Sequence, residues 1–218
     1  MHIPGVDHML TIAEDFILLA LDDKTGDFRR LQTEYLHAGL IGASVMELAL
    51  WGRTDSDMES VWLLDAKPTG YASLDLVLAA MAQPDFPREL VKVIGALMPL
   101  GERVELDVLS KLRARNILAM TESRSMLLRK VTRHTILDPT PLKQTKEHLA
   151  RVLSGDILPD PRDVCLLTLA KTCALLDDIV SKEDSEAAFE RLSSFAAMDI
   201  IGRDVRRYLY LFERDAAG

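Results

Sequence analysis

The 218-residue chain has little of what several common protein classes require. Its two cysteines, Cys165 and Cys173, would lie about 12 Å apart along a shared helix, which is too far for a disulfide. The apolar run Phe16–Leu21 is far shorter than the ~20 residues of a membrane-spanning helix. The first ten residues do not show the basic and then apolar pattern of a signal peptide. We therefore expect a cytoplasmic protein, with at most peripheral contact to a membrane.

Motifs of catalytic and metal-binding sites are also missing. The sequence contains no GxGxxG, Walker, HExxH or paired CxxC pattern, and its five histidines form no i,i+4 pair. We expect no enzymatic activity, no metal and no cofactor. Glu47 stands in an apolar run, which predicts either a buried acid with a shifted pKa or a structural partner for the nearby Arg53.

The residues that are present predict a folded, mainly α protein. Hydrophobic residues make up 48% of the chain and charged residues 28%, which argues against disorder. Thr11 and Glu14 have the spacing of a capping box, followed by a helix that is apolar nearly all round and therefore central. In a second helix, over about residues 31–50, Gly39 and Gly42 reduce helix propensity, so we expect a neighbouring backbone to approach closely there.

The middle of the chain predicts a β-hairpin after a helix. A helix over about residues 102–118 is followed by a turn-rich stretch, Met120–Ser125, and by the apolar and basic run Met126–Val131. This order is typical of a winged helix-like element. We therefore predict a compact multi-helix single domain over residues 1–218 with one short β-hairpin, and a short helix over about residues 73–81 that Ser73 caps.

Positive charge is concentrated in the same region. The net charge is −8, but residues 103–134, which we call the basic segment, carry eight Lys or Arg and three acidic residues, hence +5 against −13 elsewhere. Apolar residues beside basic ones suit an anionic membrane surface. The alternative is a solvated wing whose apolar side chains pack on the core. The hairpin candidates for membrane contact are Met126, Leu127, Leu128, Arg129 and Lys130.

Three motifs, in order, resemble the Golgi phosphoprotein 3 family, which includes a yeast vacuolar sorting homologue and bacterial relatives. The first is LTIAEDFILLAL at residues 10–21 with a D-x-x-x-G turn. The second is GLIG at residues 39–42 followed by MELALWGR at residues 46–53. The third is PTG at residues 68–70 followed by Leu74, Asp75 and Leu78. We expect the chain to be a bacterial member of this family.

The resemblance implies a function. Family members are mainly helical, non-enzymatic adaptors, and the eukaryotic ones bind phosphatidylinositol 4-phosphate, insert a hairpin loop into the membrane and hold glycosyltransferases by their tails. The headgroup is held by arginines, whose forks match phosphate oxygens, beside a tryptophan. The partners that this implies are an anionic lipid or membrane surface, protein clients and a second copy of the chain.

The family's four headgroup positions are not matched here. The pocket tryptophan aligns with Gln32, and the three arginines align with Ile41, Asp107 and Ser110. We therefore expect an altered headgroup preference, with other basic residues as candidates for headgroup binding: Arg29, Arg30, Lys111, Arg113 and Arg115. Two alternatives stay open, which are a soluble bacterial protein-interaction module that has lost lipid binding and, less favoured, a winged-helix nucleic-acid binder.

Overall fold

The computed structural model describes residues 10–22, 24–28, 31–124, 130–176, 179–180 and 185–216. Within them the chain is mainly α with two antiparallel two-stranded sheets, which confirms the predicted fold class. The helices are α1 (Ile12–Ala20), α2 (Thr33–Leu50), α3 (Ala72–Met81), α4 (Leu90–Leu97), α5 (Gly101–Ala114), α6 (Thr140–Ser154), α7 (Pro161–Thr172), α8 (Ser185–Met198) and α9 (Ile200–Ala216). The strands are β1 (Thr54–Ser56), β2 (Val61–Leu63), β3 (Leu118–Arg124) and β4 (Lys130–Ile136).

Helix α1 lies at the centre of the fold. All of its residues are buried, and it packs against α2, α5, α6 and α7. The predicted capping box is present, because the Thr11 hydroxyl accepts from the Glu14 amide and Glu14 accepts from the Thr11 amide. A helix that is apolar nearly all round has to be buried on all sides, and the four surrounding helices bury α1 in this way.

The glycines of α2 do allow a close approach, but side chains and not a backbone make it. A Cβ added at Gly39 would lie 2.2 Å from the ring of Phe16, and one at Gly42 would lie 2.6 Å from Val205. The expected backbone neighbour was therefore wrong. Because α1 and α9 both press side chains onto α2, the missing Cβ atoms set how closely these helices pack.

The hairpin begins earlier than the sequence indicated. Met120–Arg124 belongs to β3, which pairs with β4 from Leu118 opposite Ile136 to Arg124 opposite Lys130. Helix α5 ends at Ala114 because Asn116 takes a left-handed conformation with φ +57°, and the strand starts directly afterwards. The interpretation of Met120–Ser125 as turn-rich was wrong over its first five residues.

Two other details of the prediction needed correction. Ser73 does not cap α3; Tyr71 is the N-cap residue, and the amide of Ser73 donates to Asp107 of α5 instead. Asp107 therefore ties the start of α3 to α5. The predicted hairpin is accompanied by a second two-stranded sheet, β1–β2, in which Ser56 pairs with Val61.

Candidate functional site

The candidate headgroup residue Lys111 interacts with two neighbouring side chains of the protein. Its Nζ lies 3.6 Å from Oδ2 of Asp107 and 3.9 Å from the centre of the Tyr71 ring. The Nζ atom is buried, and it has no hydrogen-bond acceptor among the described residues. The Lys111 ammonium is therefore stabilised by the Asp107 carboxylate and by a cation–π contact with the Tyr71 ring.

Arg115 and Arg113 lie on different sides of α5. Arg115 lies 3.7 Å from the carboxylate of Glu14, the buried acid of the α1 capping box. Arg113 donates to the sulfur of Met120 on β3 at 3.1 Å. Lys111 and Arg115, one turn apart, thus point towards α3 and α1, while Arg113 points towards the hairpin. The structure does not bring these three cations into one cluster.

The base of the hairpin is anchored to the turn that follows α1. The amide of His134 on β4 donates to the carbonyl of Gly26 at 2.8 Å, and Gly26 has φ +71° with its Cα against the His134 backbone. The His134 ring is buried 5.8 Å from Phe28. Burial and the nearby guanidinium of Arg113 hold the pKa of His134 below its usual value. This histidine is therefore mainly neutral in the folded protein at neutral pH.

The side chains of the remaining candidates lie outside the described residues. Arg29 and Arg30 follow Phe28 directly and lie outside the described residues, so the structure does not place them. The same holds for four of the membrane-contact candidates, Met126, Leu127, Leu128 and Arg129, and for the side chain of Lys130. Only the backbone of Lys130 is described, where β4 begins.

The four unmatched headgroup positions differ in burial and in the contacts that they make. Ile41 has no exposed surface and belongs to the core. Asp107 is engaged by Ser73 and Lys111. Gln32 is the exposed N-cap residue of α2, without a side-chain capping bond, and Ser110 is exposed on α5. None of these side chains carries positive charge, so they do not form the arginine and tryptophan arrangement of the eukaryotic relatives.

A second polar site surrounds the start of α1. Arg162 of α7 donates to Asp15 at 2.7 Å, to Glu47 at 3.3 Å and to the carbonyl of Leu10 at 2.5 Å. Glu47 also accepts from the amide of Ile12 at 2.6 Å. Burial raises the pKa of Glu47 above its usual value, although Ile12 and Arg162 oppose that shift.

This site corrects the partner that the sequence indicated for Glu47. Arg53 pairs instead with Asp65 at 2.5 Å, and Arg162 lies 115 residues from Glu47 along the chain. The sequence signal available at Arg162 was its place in the first turn of α7, between Asp160 and Asp163, which form a capping box. That signal locates a helix start, but it does not reveal which acids the arginine meets.

The acids and hydroxyls of the sequence motifs have structural roles. Glu47 receives the amide at the start of α1, and Asp75 accepts from both the amide and the hydroxyl of Thr69.

The family model described as Golgi phosphoprotein 3 (GPP34) matches residues 12–210. The chain belongs to the Golgi phosphoprotein 3 family. No individual curated protein matches it at a significant level.

The part of this Golgi phosphoprotein 3 chain that is described offers neither a membrane-spanning helix nor a metal site. There, no helix is both long enough and apolar enough to cross a membrane, and no group of three or more His, Cys, Asp or Glu could hold a metal ion. Cys165 and Cys173 are free thiols. Burial raises the pKa of each to about 12, so neither is a ready nucleophile.

Proposed function

We propose that the protein is a non-enzymatic, cytoplasmic, peripheral-membrane adaptor that binds anionic lipid headgroups through the basic segment and its hairpin. Family membership over residues 12–210 carries this proposal. The concentration of positive charge in residues 103–134 supports it, because the remaining body is acidic and would be repelled by an anionic surface.

The proposed headgroup preference differs from that of the eukaryotic relatives. Ile41 lies in the core and Asp107 is held by Ser73 and Lys111, so neither presents a donor for a phosphate. We propose five basic residues as the principal lipid contacts: Arg29, Arg30, Arg113, Arg129 and Lys130. Lys111 and Arg115 are proposed as weaker contributors, since each already faces a carboxylate.

The membrane-contact role is proposed for the hairpin loop. Met126, Leu127 and Leu128 supply apolar side chains next to Arg129 and Lys130, a composition that combines shallow insertion with attraction to anionic lipid. The anchoring of β4 to the turn at Gly26 gives this loop a fixed base. Protein clients and a second copy of the chain are further partners that the family resemblance implies.

Vesicle flotation tests the proposal. We expect the protein to float with phosphatidylglycerol or phosphoinositide vesicles at low ionic strength, with binding that falls as salt rises. Arg129→Glu with Lys130→Glu should reduce the bound fraction at least tenfold. The matched control is Lys143→Glu with Arg206→Glu, which changes net charge equally on exposed positions of α6 and α9. No binding at low salt, or equal loss in both double variants, would refute the proposal.

Lys111 and Arg115 each lie close to a carboxylate of the protein itself. This favours a second candidate function, that of a soluble protein-interaction module that has kept the scaffold and lost lipid binding. Pull-down partners that survive charge reversal of the hairpin, together with absence of flotation, would support this alternative. A nucleic-acid role is disfavoured by the acidic body, and a flat salt dependence in a duplex-binding assay would dismiss it.

A further inference from the structure

A pocket of about 270 Å³ opens where α1 and α7 begin and α2 ends. Leu50, Trp51 and Tyr71 line its walls, and Glu47 and Arg162 are among its polar residues. Its volume is just below the range of ordinary small-molecule sites, so it fits a small group better than an extended ligand. None of the residues proposed for lipid contact lines this pocket.

The charges of the pocket favour a cation. Arg162 is committed to Asp15, Glu47 and the carbonyl of Leu10, and so its guanidinium is already matched by acceptors. The Glu47 side chain is only 6% exposed, and both of its hydrogen bonds fall on Oε2. Within the described part of the chain, Oε1 accepts no hydrogen bond. Asp160 adds an exposed carboxylate at the rim.

The aromatic walls favour the same kind of ligand. The ring centres of Trp51 and Tyr71 are 5.3 Å apart at 74°, so the edge of one ring packs against the face of the other, and both residues line the pocket. A tryptophan face is the strongest aromatic partner for a cation, and quaternary ammonium groups are bound in this way. The ammonium of Lys111 already occupies one face of Tyr71, and therefore Trp51 is the main aromatic contact available.

We propose that this pocket binds an organic ammonium cation of the trimethylammonium type, with Trp51 as its aromatic face and Glu47 as its counter-charge. An inorganic or lipid phosphate is disfavoured because it would meet Glu47 and Asp160 without a free guanidinium. A purely apolar ligand is disfavoured because it would take Oε1 of Glu47 out of water without giving it a partner. The proposal is independent of lipid binding by the basic segment.

Isothermal titration calorimetry with choline chloride tests the proposal by measuring the affinity and stoichiometry of binding. The matched ligand is 3,3-dimethylbutan-1-ol, which has the shape of choline without the charge. We expect saturable 1:1 binding of choline and at least tenfold weaker binding of the neutral analogue. Equal binding of the two ligands, absence of saturation, or competition by inorganic phosphate would each overturn the proposal.

Variants locate the site and separate it from a folding effect. Trp51→Leu should weaken choline binding at least tenfold, whereas Trp62→Leu, which alters the tryptophan of β2 outside the pocket, should leave it unchanged. Glu47→Gln keeps an acceptor for Ile12 and removes the charge, so it should weaken binding of choline but not of the neutral analogue. Melting curves confirm that each variant is folded. Unchanged choline binding in folded Trp51→Leu would overturn the assignment.

Two sources could supply this cation, a free amine or the headgroup of phosphatidylcholine. Competition between choline and phosphatidylcholine vesicles distinguishes them. Displacement of choline by vesicles assigns the pocket to the lipid headgroup, and flotation with phosphatidylcholine vesicles should then be lost in Trp51→Leu. Retention of choline in the presence of vesicles assigns the pocket to a free ammonium compound. Displacement of choline in the parent protein together with unchanged flotation of Trp51→Leu would contradict the proposed site.

Discussion

The acidic helical body and the basic segment handle charge differently. In the body, Arg162 is surrounded by acceptors from α1 and α2 and is only 17% exposed. In the basic segment, Arg113 contacts a methionine sulfur, and Lys111 shares its charge with one carboxylate and one ring. The body uses charge to join helices, whereas Arg113 of the basic segment contacts no carboxylate among the described residues. A charge count along the sequence cannot separate these two uses.

The largest effect should come from breaking the charge network of the body. Arg162→Met leaves Asp15 and Glu47 buried without their common partner, and removal of one member of a buried pair costs about 3–5 kcal/mol of unfolding free energy. Urea denaturation measures this loss. Arg206→Met, at an exposed position of α9, should stay within about 0.5 kcal/mol of the parent protein. Similar losses in the two variants would contradict the distinction.

A smaller loss is expected where the basic segment meets the body. Asp107→Ala removes the acceptor for the Ser73 amide and the counter-charge of Lys111, and the loss of a hydrogen bond to a charged group costs about 1.5–3 kcal/mol. Thermal and urea unfolding measure it. Adding Lys111→Met should recover part of the loss, because the buried ammonium then disappears as well. A double variant less stable than Asp107→Ala would show that Lys111 is stabilised without Asp107.

The helix and hairpin architecture was predictable, because its signals are local. The capping box at Thr11 acts within a few residues, and the prediction placed it correctly. The hairpin boundaries were shifted because the left-handed Asn116 ends α5 early, a conformation that helical spacing alone does not signal.

The site was less predictable, because its contacts join distant parts of the chain. Glu47 meets Arg162 across 115 residues, and the nearer Arg53 was the wrong partner. Lys111 and Arg115 were both candidates for headgroup binding, but they face acids that come from α5 itself and from α1. Tertiary packing decides which cations stay accessible, and residue spacing does not contain that information.

The hairpin base should give the stability of the fold a pH dependence near neutral pH. Because the pKa of His134 is lowered in the folded state, the unfolded chain binds more protons below its usual value of 6.5. Its contribution to stability is full above pH 6.5 and decreases as the pH falls towards the folded pKa. His134→Gln should flatten the change in melting temperature between pH 7.5 and 5.5. An unchanged slope in the variant would exclude His134 as its source.

The smallest effect on stability, and the sharpest test of the contrast, is expected at Arg113. Its guanidinium touches Met120 and forms no ion pair with any described residue, so Arg113→Gln should change the unfolding free energy by less than about 0.5 kcal/mol. The same variant should reduce flotation with anionic vesicles severalfold, because this charge lies beside the hairpin and meets no carboxylate among the described residues. Removal of the Arg113 charge also eases protonation of His134, and the assay should therefore be run at pH 7.5. An Arg113→Gln protein that binds vesicles like the parent would place the accessible charge on the loop residues instead.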